Sequence, residues 1–81
     1  MEHIKEQKIK MSDLKNFFGI PDFFQVRREG ELIIFSSSVK KEAYKLNNED
    51  IGKFLKKSLN HQGQFKIKEV NRYQITCDFI S

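Results

Sequence analysis

The sequence has little of what secreted and membrane proteins depend on. It holds a single cysteine, Cys77, so it cannot form an intramolecular disulfide, and small secreted domains usually need several. Its longest uninterrupted apolar run, Leu32 to Phe35, is far shorter than the roughly 20 residues that cross a bilayer as a helix. We therefore expect a cytoplasmic protein that is neither exported nor inserted into a membrane.

The residues that usually carry catalysis are also scarce. The two histidines, His3 and His61, have no metal-ligand spacing to each other or to Cys77. The four glycines are isolated, so there is no glycine-rich motif that could cradle a phosphate. Cys77 alternates in phase with Ile75 and Phe79, which is typical of a buried, unreactive thiol. The sequence predicts neither an enzyme nor a cofactor or metal site.

What is present is enough for one small core. The 81 residues include eight phenylalanines and two tyrosines, and 38% of all residues are hydrophobic, which is typical of a globular domain. Residues 1–11 are rich in charge and have few apolar anchors, so we expect a flexible or weakly ordered N-terminal arm there. Residues 12–81 are expected to form a single α+β domain.

Hydrophobic periodicity predicts two helices and four or five strands. The two clearest strands of the first half flank a Glu29-Gly30 turn. We expect an antiparallel sheet of four to five strands with two helices on one face, in the order α-β-β-(β)-α-β-β. The predicted segments are a helix at 13–18, strands at 23–28 and 31–37, a polar edge strand at 39–46, a helix at 48–60, and strands at 64–70 and 73–80.

The helix at 48–60 has two distinct faces. Glu49 and Asp50 suit the positive end of its dipole, and an apolar stripe is expected to pack beneath a sheet. The stripe consists of Ile51, Phe54, Leu55 and Leu59, and the lysines of the opposite face are Lys53, Lys56 and Lys57. Both the architecture and the candidate binding face depend on this helix.

Basic residues outnumber acidic ones by 15 to 11, which gives a net charge of +4. Clustered cations bind the phosphates of nucleic acids through charge and counterion release, and an exposed Tyr44 or Tyr73 can stack on a base. We therefore expect a nucleic-acid-binding accessory or regulatory protein. The alternative interpretation is that these residues only keep the surface soluble. The candidate phosphate contacts are Arg27, Arg28, Lys40, Lys41, Lys53, Lys56, Lys57, Lys66, Lys68 and Arg72.

The first predicted hairpin carries apolar residues on both faces of a strand. One face packs under the helices, and the other would be left exposed, which favours a protein interface. The second functional hypothesis is therefore a homodimer, or an inhibitor of a larger host or phage enzyme. The alternative is that the N-terminal arm covers this face through Ile4, Ile9 and Met11. The candidate interface residues are Phe23, Phe24, Ile33 and Phe35.

The order of helix, three strands and helix over Ser12 to Asn60 resembles the double-stranded-RNA-binding fold and the similar fold of HicA-type toxins. The resemblance implies an α+β sheet packed against helices. A HicA-like ribonuclease would carry a histidine where this chain has Glu31 to Ile33, so the resemblance does not imply that activity. The double-stranded-RNA binders carry lysines at the start of the last helix, where this chain has Asn48 to Asp50.

Overall fold

The computed structural model describes residues 4–80 and has an α+β fold with two helices and six strands. The strands form two antiparallel sheets of three, here called the terminal sheet (order β1-β6-β5) and the central sheet (order β2-β3-β4). The predicted α+β class is confirmed, but the prediction of a single sheet of four to five strands was wrong, because the strands form two sheets. The elements are β1 (Ile4–Lys10), α1 (Met11–Phe18), β2 (Gln25–Glu29), β3 (Leu32–Ser36), β4 (Ala43–Leu46), α2 (Asn48–Leu59), β5 (Gln64–Val70) and β6 (Gln74–Ile80).

Most of the predicted N-terminal arm forms strand β1. It pairs antiparallel with β6 along its whole length, from Ile4 opposite Ile80 to Lys10 opposite Gln74. The charged sequence of this segment gave no sign of the pairing, because its partner lies at the other end of the chain and supplies the backbone hydrogen bonds. Residues 1–3 of the expected arm lie outside the described part of the chain.

Helix α1 is short and ends at a left-handed glycine. Gly19 has φ +68°, and the next residue, Ile20, donates its N–H to the carbonyl of Lys15 at 2.8 Å. Met11 and Leu14 are buried on the inner side of the helix. Within residues 4–80, neither helix is long and apolar enough to cross a membrane.

Helix α2 begins with a capping box. The N–H of Asp50 donates to Asn47 Oδ1 at 2.9 Å, and the N–H of Asn47 donates to Asp50 Oδ2 at 3.1 Å. After the helix, the imidazole of His61 stacks on Phe79 with ring centroids 4.0 Å apart. The same ring places Nε2 3.0 Å from the carbonyl of Gln64, so His61 fastens the end of α2 to the terminal sheet.

Both sheets and both helices contribute to one hydrophobic core. The stripe predicted for α2 is buried at Ile51, Phe54 and Leu55, but Leu59 in the last turn is 48% exposed. The buried core residues are Ile9, Met11, Leu14, Ile20, Phe24, Ile33, Phe35, Leu46, Ile51, Phe54, Leu55, Ile67, Ile75 and Cys77.

Three of the four residues in the apolar run of β3 are buried, on both faces of the strand, and Leu32 is 37% exposed. Ile33 and Phe35 belong to the core, and Ile34 on the other face is only 2% exposed. Ile34 lies between Arg27 and Lys45 in the strand register, and long basic side chains of this kind lay their aliphatic stems over apolar neighbours. Ile34 is therefore buried between basic neighbours, whereas Leu32 on the same face stays partly exposed.

Three of the four residues predicted for the apolar interface are buried in the core. Phe24, Ile33 and Phe35 are at most 2% exposed, so they have no surface to offer a partner. Only Phe23 is exposed, at 56%. The error came from the register of the hairpin, because a continuous apolar run does not reveal which residues point inward.

Candidate nucleic-acid interface

Arg28, a predicted phosphate contact, joins the two sheets. Its guanidinium donates to the carbonyls of Gly30 at 2.9 Å, Ile67 at 3.2 Å and Lys68 at 3.2 Å. The last two carbonyls lie where β5 bulges, at the register shift between Ile67 and Glu69. The bulge turns backbone acceptors away from the ladder, and the forked donor group of arginine satisfies them.

Two further predicted contacts have carboxylate neighbours. Lys68 Nζ lies 4.0 Å from Glu6 and 3.9 Å from Asp78 on the outer face of the terminal sheet. Arg27 Nε lies 3.4 Å from Glu29 Oε1. These pairs are at least partly exposed and contribute little stability, but the acidic neighbours lower the attraction of the two cations for phosphate.

The other predicted residues outside α2 lie on several different elements. Arg72 packs over the ring of Tyr73 at 4.6 Å, and Lys66 lies opposite Asp78 in the terminal sheet. Lys40 and Lys41 lie in the turn between β3 and β4 and are exposed. These four cations come from the β3–β4 turn, from β5 and from the β5–β6 turn.

The three lysines of α2 form the basic face, defined here as Lys53, Lys56 and Lys57. Their spacing puts them on one side of the helix, and all three are exposed. Among residues 4–80, no carboxylate oxygen lies within 4.0 Å of any of these ammonium groups. They line a depression of about 440 Å³ together with Phe17, Asn60 and Gln62.

An apolar groove adjoins the basic face. It has a volume of about 560 Å³ and lies between β1, α1 and α2. Its lining includes two basic residues, Lys8 and Lys10, and one acid, Asp13. The full lining is Lys8, Ile9, Lys10, Asp13, Asn16, Phe17, Phe54, Ser58 and Leu59.

Phe17 lines both the groove and the depression on the basic face. Its ring is 39% exposed and meets Phe54 edge to face, with centroids 5.3 Å apart at 84°. A second edge-to-face contact joins the ring to Phe18 at 4.8 Å. Phe17 is thus a partly exposed aromatic side chain that lines a depression with Lys53, Lys56 and Lys57.

Sequence reasoning missed the groove residues for two reasons. Phe17 had the spacing of a core position, but a helix as short as α1 does not bury its whole apolar stripe. Lys8 and Lys10 were assigned to an arm, and only the pairing of β1 with β6 brings them beside α2. No local pattern could have found them.

The single cysteine, Cys77, is buried. Burial, and to a lesser extent the charge of Asp78, raises the pKa of the Cys77 thiol to about 11. The thiol therefore stays protonated at neutral pH. Within residues 4–80, no three side chains of His, Cys, Asp or Glu come together as a set of metal ligands.

Comparison with known proteins finds no matching family model, curated protein or solved structure.

Proposed function

We propose that this protein is a nucleic-acid-binding module that holds a phosphate backbone along α2. The observation that carries the proposal is the basic face, whose three exposed ammonium groups have no carboxylate within 4.0 Å among residues 4–80. Nucleic-acid phosphates carry condensed counterions, which are released when lysines neutralise the phosphates, and that release drives binding.

The contrast with the rest of the surface supports this assignment over a solubilising role. Lys68 and Arg27 have acidic neighbours at 4.0 Å or less, as expected for an ordinary mixed surface. The basic face lacks them among residues 4–80, and the lining of the adjoining groove includes two further basic residues, Lys8 and Lys10.

The groove favours a single strand over a duplex. A duplex hides its bases, whereas an unpaired strand can place a base against Phe17 while its phosphates follow the lysines. Such stacking contributes about 1–3 kcal/mol per base. The apolar lining of Ile9, Phe54 and Leu59 suits the flat face of a base.

The test is a binding titration of a fluorescent single-stranded oligonucleotide at several salt concentrations. The triple variant Lys53→Gln, Lys56→Gln, Lys57→Gln should bind more weakly, and its plot of log affinity against log salt should be shallower by about 2, at roughly 0.7 for each phosphate that a lysine no longer neutralises. The matched control is Lys40→Gln, Lys41→Gln, Lys66→Gln, which removes equal charge elsewhere. Equal affinity and slope in the two triple variants would rule out the proposal.

A second titration isolates the groove. Phe17→Ala should weaken binding of the single strand and leave binding of a duplex of the same length unchanged, because only an unpaired base reaches the ring. Phe23→Ala is the control, since Phe23 is also exposed but lies outside the groove. Equal losses for strand and duplex would contradict the single-strand preference.

A further inference from the structure

Strand β1 has one open edge. It is the outer strand of the terminal sheet and pairs only with β6 within residues 4–80. An outer strand presents unpaired N–H and C=O groups that can bind another strand. Only some residues of β1 present these groups at the open edge.

One hydrogen bond at the end of β1 shows which residues these are. The N–H of Met11 donates to the carbonyl of Tyr73 at 2.8 Å, and these two residues continue the register in which β1 pairs with β6. In an antiparallel ladder, residues that bond to one neighbour alternate with residues that face the other side. Odd-numbered residues of β1 therefore bond to β6, and even-numbered residues, Glu6 and Lys8 among them, turn their backbone groups to the open edge.

We propose that a second copy of this chain pairs with that edge, β1 against β1 and antiparallel, about a two-fold axis through Gln7. Glu6 then lies opposite Lys8 of the partner, and Lys8 opposite the partner's Glu6. Each of these pairs exchanges two backbone hydrogen bonds and joins opposite charges across the interface. The two terminal sheets become one continuous sheet of six strands.

The charges select this register over its neighbours. Even-numbered residues must face even-numbered residues, so the axis passes through a residue and not between two. An axis at Glu6 sets two carboxylates opposite each other, and an axis at Lys8 sets two ammonium groups opposite each other. The axis at Gln7 avoids both. In that register Lys5 lies opposite Ile9, and Lys10 lies opposite Ile4.

The lysines of β1 limit how it pairs. Lysine on an outer strand discourages pairing with arbitrary strands, so a self-complementary register gives selectivity for a second copy. The paired segment is short, so pairing buries much less surface than the roughly 1,600 Å² of a typical stable interface. We therefore expect a dimer that assembles at high protein concentration. This inference does not rest on nucleic-acid binding and is tested without nucleic acid.

The first test is a charge exchange followed by sedimentation equilibrium. The mass of the wild type should rise with concentration from the monomer value of 9.6 kDa towards twice that value. Glu6→Lys and Lys8→Glu should each weaken dimerisation at least about tenfold, because each sets like charges opposite each other. The double variant restores opposite charges and should dimerise like the wild type. A wild type that stays at 9.6 kDa, or a double variant no better than the single ones, would overturn the proposal.

The second test fixes the register. Gln7 meets its own copy at a pair without hydrogen bonds, where Cα atoms lie about 4.5 Å apart and a disulfide can form. Under oxidised glutathione, Gln7→Cys should give a covalent dimer faster than Lys5→Cys, whose new thiol would face Ile9. Both variants also carry Cys77→Ala, because Cys77 lies opposite Gln7 in β6 and could compete for the new thiol. Equal rates of cross-linking in the two variants would exclude the register.

Discussion

The basic residues of this protein divide into those that hold the fold together and those that stay in water. Lys15 is 7% exposed, and its ammonium donates to the carbonyls of Asp22 at 2.8 Å and Phe24 at 2.7 Å. Lys56 on α2 is exposed and has no such partner among the described residues. Both lie on amphipathic helices. What separates them is whether backbone carbonyls without ladder partners come within reach of the side chain.

The largest effect should come from Lys15→Met. Methionine keeps much of the stem but removes the donors, which leaves two carbonyls near the core without their partner. We expect the free energy of unfolding to fall by about 2–3 kcal/mol, measured by urea denaturation. Lys56→Met is the matched control and should stay within about 0.5 kcal/mol of the wild type. Similar losses in both variants would remove the distinction between the two groups.

A smaller loss is expected for Arg28→Met. Three carbonyls lose their donor, but water reaches part of this site, so the free energy of unfolding should fall by about 1–2 kcal/mol. Arg27→Met is the control at the next position, where the guanidinium meets one exposed carboxylate and the change should stay below about 0.5 kcal/mol. If the control loses as much as Arg28→Met, the guanidinium does not join the two sheets.

Where the local sequence carries the information, the predicted elements agree with the structure. Helix α2 was predictable because its capping residues and its apolar spacing lie within one short segment. Strand β6 was predictable because buried Ile75 and Cys77 alternate with more polar residues. Strand β1 was not, since its pairing with β6 joins opposite ends of the chain and involves backbone groups more than side chains.

The candidate site was partly predictable for the same reason. The position of Lys53, Lys56 and Lys57 in water follows from the helical period, whereas the part played by Arg28 depends on a bulge in a distant strand. The burial of Ile34 on the outer face of the central sheet likewise depends on its neighbours in other strands. Three-dimensional neighbours thus decide which basic residues remain free for a ligand.

The thiol of Cys77 is an ionisable group that stays neutral in the core at neutral pH. The pKa of Cys77 is raised to about 11 from an ordinary value of 9.0, so in the unfolded chain the thiol ionises first as the pH rises. Its contribution to stability is complete below pH 9.0 and is lost as the pH rises towards about 11. Cys77→Ala should therefore show a smaller fall in unfolding free energy than the wild type between about pH 8 and pH 10. Equal falls in unfolding free energy with pH for the wild type and the variant would contradict a buried, neutral thiol.

The smallest effect on stability is expected at the basic face. Each single replacement of Lys53, Lys56 or Lys57 by glutamine should change the free energy of unfolding by less than about 0.5 kcal/mol. The reason is that no carboxylate among residues 4–80 forms an ion pair with these lysines that the replacement could remove. Thermal unfolding at low and high salt measures this, since a hidden ion pair would weaken as salt rises. A lysine whose replacement leaves stability unchanged but lowers the affinity for a single strand is free for binding. A marked loss of stability would instead place it with Lys15 and Arg28 among the residues that hold the fold together.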